Sequence, residues 1–309
     1  MDTNIKGKYY FFVVVSGIIS GTIVLSGKLF SDMGLSLFEL ATLPFLFMII
    51  ALGPFVFFKK YRLQKRFIPL LLLFGLVSAF LTLLEFGGIL FNIPVVVIVL
   101  LLYTQPLWTI LINKIFLKEK ITRIQIITCI LVLLGMVVLI NPFSVKVHYS
   151  LLGIVIATLG GIGLAGWITV GSIASKKHIN PVTSNFYETF FMLIILAIMY
   201  PLLRFVFPNP SVTSFSFVWP IKMWIYFVIF ALFSQILNHI LFLTGAKKVP
   251  AVDSGIIMLL EPLSAAILSI IFLKQPLTIN IIIGGAIIIF ANYLLIKNID
   301  SFYYRPLIL

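Results

Sequence analysis

Ten apolar runs follow one another with little between them, at 9–29, 36–58, 67–87, 93–114, 122–141, 151–174, 182–203, 220–243, 250–272 and 277–297. A helix rises 1.5 Å per residue and needs about 20 apolar residues to cross the hydrocarbon core of a bilayer. Each run meets that length, and together they use up most of the chain. Only the connection around "PNPSVTSFSFVWP" (208–220) exceeds a dozen residues, which leaves no room for a soluble domain. The chain is 61% hydrophobic and 10% charged, with a mean hydropathy of +1.20. A soluble domain carries roughly 25% charged residues, so most of this outer surface must face hydrocarbon. The pattern predicts an all-α, polytopic membrane protein.

The first run follows Lys6 and Lys8, as the apolar part of a signal peptide would. It runs uncharged from Tyr9 to Gly27 with no convincing small-residue cleavage site, and so reads as a retained helix. Cys129, the single cysteine, lies inside an apolar run, which excludes a disulfide within the chain and a cysteine-based metal site.

A net charge of +13 would suggest nucleic acid as the partner of a soluble protein. Here the Lys and Arg residues cluster between apolar runs, where they set topology, and no nucleic-acid partner is expected. With the N-terminus in the cytoplasm, 17 of the 22 fall on the cytoplasmic side and five outside. The asymmetry follows the positive-inside rule. It predicts a multi-pass protein of the cell membrane with both termini cytoplasmic.

"IFLKEKIT" (115–122) recurs 156 residues later as "IFLKQPLT" (271–278). Without a gap, 74–122 aligns on 230–278 with 14 identities in 49 positions, among them Ser78/Ser234, Pro94/Pro250, Pro106/Pro262 and Lys118/Lys274. This is a duplication of a five-helix unit, dividing the chain at 1–145 and 146–309. Five is odd, so the copies enter the membrane from opposite sides. Two inverted five-helix repeats place a substrate site near the midplane with two alternative accesses.

At these residues the chain resembles the EamA-like branch of the drug/metabolite transporter superfamily. "IPVVVIVLLLYTQPLWTILINKIFLKEKIT" (93–122) is similar to that family's fourth span and its exit, and "PAVDSGIIMLLEPLSAAILSIIFLKQPLT" (250–278) to its ninth. "SGKLFSDMGLSLFELATLPF" (26–45) resembles the first helical hairpin, matching at Lys28 and Glu39. The resemblance covers nearly the whole chain and implies ten helices around a central cavity, spans 5 and 10 being peripheral. It also implies export of amino acids, other metabolites or drugs. The chain departs from the family at Pro44, where an Arg is frequent, and at Lys274-Gln275, where Gly-Glu is common.

Polar groups inside a membrane face the bundle interior or a watery cavity. Ser78, Thr82 and Glu85 form one stripe on span 3, and Ser234 and Asn238 hold the equivalent positions on span 8, flanked by Gln235 and His239. Gln105 and Glu261 are repeat-equivalent, and each precedes a proline near the middle of its span. Proline removes a helix hydrogen bond, so both positions are expected bends. A carboxyl at the midplane is costly when charged, which makes Glu261 the candidate proton site. Tyr103, Trp108 and Trp167 are candidate aromatic wall residues. The substrate cavity is therefore expected to draw on Ser78, Thr82, Tyr103, Gln105, Trp167, Ser234, Asn238, His239 and Glu261. The competing role for each is an interhelical contact that only holds the bundle together. Span 7 carries Asn185, Glu188, Thr189 and Met192 on one face. Glu188, like Asp253 on span 9, lies close enough to a helix end to be solvated.

"GIGLAG" (161–166) matches G-x-G-x-x-G but sits inside an apolar run, without the strand that a dinucleotide site needs. Close packing of small residues explains it better. His148, His178 and His239 share no ligand spacing, and neither a Walker A motif nor a G-x-S-x-G elbow is present. No enzyme activity, cofactor or metal is expected. The reading is a secondary transporter exporting a small organic solute (an amino acid, related metabolite or drug) by alternating access. A flippase for a lipid-linked substrate, or an accessory subunit on the same fold, is the alternative. The partners are the solute and the lipid bilayer, with a homodimer left open.

Overall fold

The computed structural model describes residues 3–58, 61–87, 95–142 and 151–298. Among them there is no strand, and ten helices are long and apolar enough to cross a membrane. They are α1 (Thr3–Asp32), α2 (Leu37–Val56), α3 (Ile68–Gly87), α4 (Val95–Leu102 and Gln105–Phe116), α5 (Arg123–Ile140), α6 (Leu151–Lys176), α7 (Pro181–Val206), α8 (Ile221–Ile229, Phe230–Leu237 and Asn238–Gly245), α9 (Ala251–Met258 and Leu260–Leu273) and α10 (Ile279–Lys297).

The helix ends follow local chemistry. Ser36 and Glu39 form a reciprocal cap at the start of α2: Ser36 Oγ accepts from the Glu39 N–H at 3.1 Å, and Glu39 Oε2 from the Ser36 N–H at 2.8 Å. Thr122 and Gln125 do the same for α5. Each pair satisfies two backbone donors that a helix start leaves open. The breaks in α4 and α9 fall at Tyr103–Thr104 and at Leu259, just ahead of Pro106 and Pro262. Proline offers no N–H and its ring crowds the preceding turn, so the expected bends are present in both.

The duplicated octapeptide has one geometry in both places. Lys118 and Lys274 are left-handed, with φ of 52° and 53°. Four residues later Thr122 and Thr278 each cap the next helix. The sequence recurs because both copies need the same helix stop, reversal and restart.

Helix packing obeys the same exchange. Contacts of α3 with α6 mirror those of α8 with α1, contacts of α3 with α7 mirror those of α8 with α2, and contacts of α9 with α1 mirror those of α4 with α6. Each helix therefore corresponds to the one five places on, and an odd step makes membrane-spanning partners antiparallel. The architecture is two inverted five-helix repeats.

Without a hydrophobic drive between helices in lipid, association depends on close packing. α5 and α10 form the most extensive pair. A Cβ on Gly284 would fall 2.6 Å from the Gly135 carbonyl oxygen and 2.5 Å from the Leu139 nitrogen. Gly161, within "GIGLAG", sits against the break in α4, where a Cβ would lie 2.8 Å from the Leu101 carbonyl oxygen. Outward-facing side chains such as Phe11, Ile50, Phe80, Ile198, Phe233 and Phe290 are exposed. On a water-soluble protein such a belt would be an aggregation surface, whereas here it meets hydrocarbon.

Candidate functional site

A central cavity lies between the two repeats. α1 contributes Ser20, Ile23 and Gly27, α2 Leu40 and Phe45, and α3 Ser78, Leu81 and Thr82. Leu102 comes from α4, Leu164 and Trp167 from α6, and Glu188, Thr189 and Met192 from α7. Phe230, Gln235, Asn238 and His239 of α8, with Met258 and Glu261 of α9, complete the wall. No described residue of α5 or α10 takes part, and no described lining residue is Lys or Arg. The cavity volume is about 110 Å³, several times the roughly 10–15 Å³ that one water requires.

Of the nine expected cavity residues, Ser78, Thr82, Trp167, Asn238, His239 and Glu261 line this space. Tyr103, Gln105 and Ser234 do not. Tyr103 packs in the main core cluster. Gln105 is fully buried, its amide donating to Thr109 Oγ1 at 2.7 Å. It lies so close to α9 that a Cβ on Gly255 would fall 2.5 Å from its Nε2. Ser234 faces α1, where Thr22 Oγ1 donates to its hydroxyl at 2.8 Å. The Glu85 side chain lies outside the described residues.

Ser78 and Ser234 are repeat-equivalent, yet only Ser78 lines the cavity. The difference lies in α8, whose Phe230–Leu237 segment is π-helical whereas the matching part of α3 is regular α-helix. One extra residue per turn rotates the following side chains. It brings Gln235, Asn238 and His239 to the wall and turns Ser234 away. Asn238 also has an anchoring role: its Nδ2 donates to Ser20 Oγ at 2.9 Å, and Ser16 Oγ donates to its Oδ1 at 2.5 Å.

Glu188 corrects the expectation drawn from its place in the sequence. It stands seven residues after Pro181, where α7 begins, roughly 10 Å along the axis at 1.5 Å per residue. It is only 2% exposed. Its Oε1 accepts from Ser78 Oγ at 2.6 Å and from Trp167 Nε1 at 2.7 Å. Its Oε2 has no hydrogen-bond partner and lies 3.8 Å from His239 Nδ1, which has none either. The Trp167 ring packs against His239 and Phe242, with centroids 5.0 and 4.8 Å away. The stripe Asn185–Glu188–Thr189–Met192 was visible in the sequence, but its depth and facing partners were not.

Asp253 is likewise buried rather than solvated. Tyr10 OH donates to one carboxylate oxygen, and Gln125 Nε2 donates to the other at 2.6 Å. Gln125 is also the residue that caps α5, so the first turns of α5 and α9 and the third turn of α1 meet at one carboxylate. Nearby, Lys176 at the end of α6 bridges Glu119 of the duplicated loop at 2.8 Å. These contacts close the side of the bundle on which α1 begins. Val13, Ala246, Val249 and Val252 there are at most 1% exposed. The cavity runs the other way, toward Gly27 near the end of α1 and Leu40 near the start of α2.

Comparison with known proteins agrees with this architecture. The model of the EamA-like transporter family matches twice, at residues 7–141 and 151–297. An uncharacterized transporter of Clostridium kluyveri is 26% identical over 300 residues, covering 92% of each chain. The uncharacterized transporter YetK of Bacillus subtilis is 31% identical over 192 residues, 60% of this chain and 55% of its own. A solved crystal structure, 17% identical, superposes with a TM-score of 0.70 over 93% of this chain and 97% of its own, a likeness of fold. Two matches of one family model to the two halves of a ten-helix bundle leave one assignment: the chain belongs to the EamA-like transporter family.

Proposed function

We propose that the protein is a secondary transporter of the cell membrane that exports a small organic solute by alternating access, with both termini in the cytoplasm. The observation that carries this reading is the cavity between the repeats, polar at mid-depth and, among the described residues, closed off from the side on which α1 begins. The seal is made by Tyr10, Gln125 and Asp253, which belong to three different helices. Polar side chains at that depth are costly unless they face water or cargo, and the wall holds Ser78, Glu188, Gln235, His239 and Glu261. Exchange of the two repeats' conformations would open the sealed side of the cavity. In this scheme the units 1–145 and 146–309 are the two moving halves. Glu261, on the cavity wall at the bend of α9, is the group that exchanges a proton against the solute.

The test is a comparison of metabolite accumulation in cells with and without the protein, followed by flux in vesicles reconstituted with purified protein. A solute that builds up in the absence of the protein and is moved by it in vesicles is the expected result. No flux of any such solute would overturn the reading.

A further inference from the structure

We infer that the inner end of the cavity is a recognition site for a protonated organic amine, with an apolar or aromatic remainder and no carboxylate of its own. The inference rests on the transporter reading only in treating the bound amine as cargo.

Two buried polar atoms at this end lack partners: Glu188 Oε2 and His239 Nδ1, 3.8 Å apart. That distance is too long for either to satisfy the other. A buried acceptor is destabilised until a donor reaches it, and these two lie close enough together for one donor group to serve both. Glu188 cannot rotate to find one inside the protein, because Ser78 and Trp167 fix its other oxygen. With the imidazole proton on Nε2, both open atoms are acceptors. An ammonium nitrogen has three donors and no acceptor, and one placed about 2.8 Å from each atom would serve both at once.

The surroundings narrow the class further. Trp167, packed among His239, Phe242 and Phe74 and donating its indole N–H to the carboxylate, adds aromatic surface beside it. Leu81, Phe45, Met192 and Phe230 supply apolar lining for the remainder. A solute carboxylate, by contrast, would find no Lys or Arg among the described lining residues and would share the cavity with Glu188 and Glu261. An amino acid would thus be held by one end and repelled at the other, whereas the corresponding amine would not.

Three matched probes test this with full-length protein in nanodiscs: 2-phenylethylamine, phenylalanine and N-acetyl-2-phenylethylamine, with binding read by tryptophan fluorescence and confirmed by calorimetry. The amine is expected to bind at least about tenfold tighter than the other two, since hydrogen bonds to a charged group are worth about 1.5–3 kcal/mol. Glu188→Gln keeps the acceptor that Ser78 and Trp167 need and should remain folded by thermal unfolding, but lose that preference. Equal binding of the three probes, no amine binding at millimolar concentration, or an unchanged preference in the folded Gln variant would each overturn the inference. Vesicle flux separates this from the transporter reading. Amine binding without flux of any solute would sink transport alone, and flux of a neutral or zwitterionic solute without amine binding would sink the site alone.

Discussion

Gln125 holds Asp253 by a 2.6 Å hydrogen bond from Nε2 to Oδ1, joining the first turn of α5 to that of α9. The same glutamine accepts the Thr122 N–H through Oε1 at 2.8 Å. Helix capping and closure of the bundle are therefore carried by one side chain. With Tyr10, in the third turn of α1, donating to the other carboxylate oxygen, three helices converge on a fully buried acid.

Replacing Gln125 with Leu leaves Asp253 Oδ1 without that donor, a loss of about 1–3 kcal/mol for a buried group. The expected outcome is a shift toward the state open on the side where α1 begins. A cysteine placed at Val249, fully buried in the closed arrangement, should then react several times faster with a small polar thiol reagent, in a Cys129→Ser background. An unchanged labelling rate would mean that other contacts hold the seal.

Glu261→Gln should fold and bind solute but lose uptake driven by a pH gradient in vesicles. Gln105 occupies the equivalent place in the first repeat and is accommodated there with no exposure, so the amide is a tolerable replacement. Undiminished gradient-driven uptake would reduce Glu261 to a residue of the α9 bend.

Lys274 is exposed and left-handed at φ 53°, a conformation that costs an L-residue roughly 1 kcal/mol and glycine almost nothing. Lys274→Gly should raise the apparent unfolding temperature in detergent, while Lys274→Val should lower it. Opposite signs would place the strain elsewhere.

Gly284→Leu should be among the most damaging single changes outside the cavity. Its side chain would have to enter the space held by the Gly135 carbonyl and the α5 backbone at Leu139. Overpacking of this kind costs about 1–3 kcal/mol or more, and it should reduce the folded yield in membranes. Since α10 contributes nothing to the described cavity wall, whatever protein survives should keep its solute affinity.

Reporter fusions address topology. A fusion at Lys60 should score cytoplasmic and one at Asn209 external, as the 17-to-5 division of basic residues requires. The reverse result would invert the sidedness of the cavity and of the Asp253 seal.

The sequence by itself determined the ten helices, the bends before Pro106 and Pro262, and the inverted duplication. The helices and bends rest on interactions within a turn or two of backbone, an apolar run long enough to span and a missing proline N–H, and the duplication on a direct residue match 156 positions apart. Which polar residues share the cavity was decided only by tertiary structure. Ser78 and Ser234 are equivalent in sequence, but a π-helical stretch turns Ser234 to α1. Gln105 and Glu261 are equivalent as well, but Gln105 is packed against Gly255 while Glu261 reaches the cavity wall. Glu188 looked solvated near a helix end until α3, α6 and α8 enclosed it with Ser78, Trp167 and His239. The physical reason is that a polar stripe fixes a face of one helix but not what that face meets. That depends on helix phase and crossing, set by close contacts such as Gly161 on Leu101 and Gly284 on Gly135, between residues far apart in the chain.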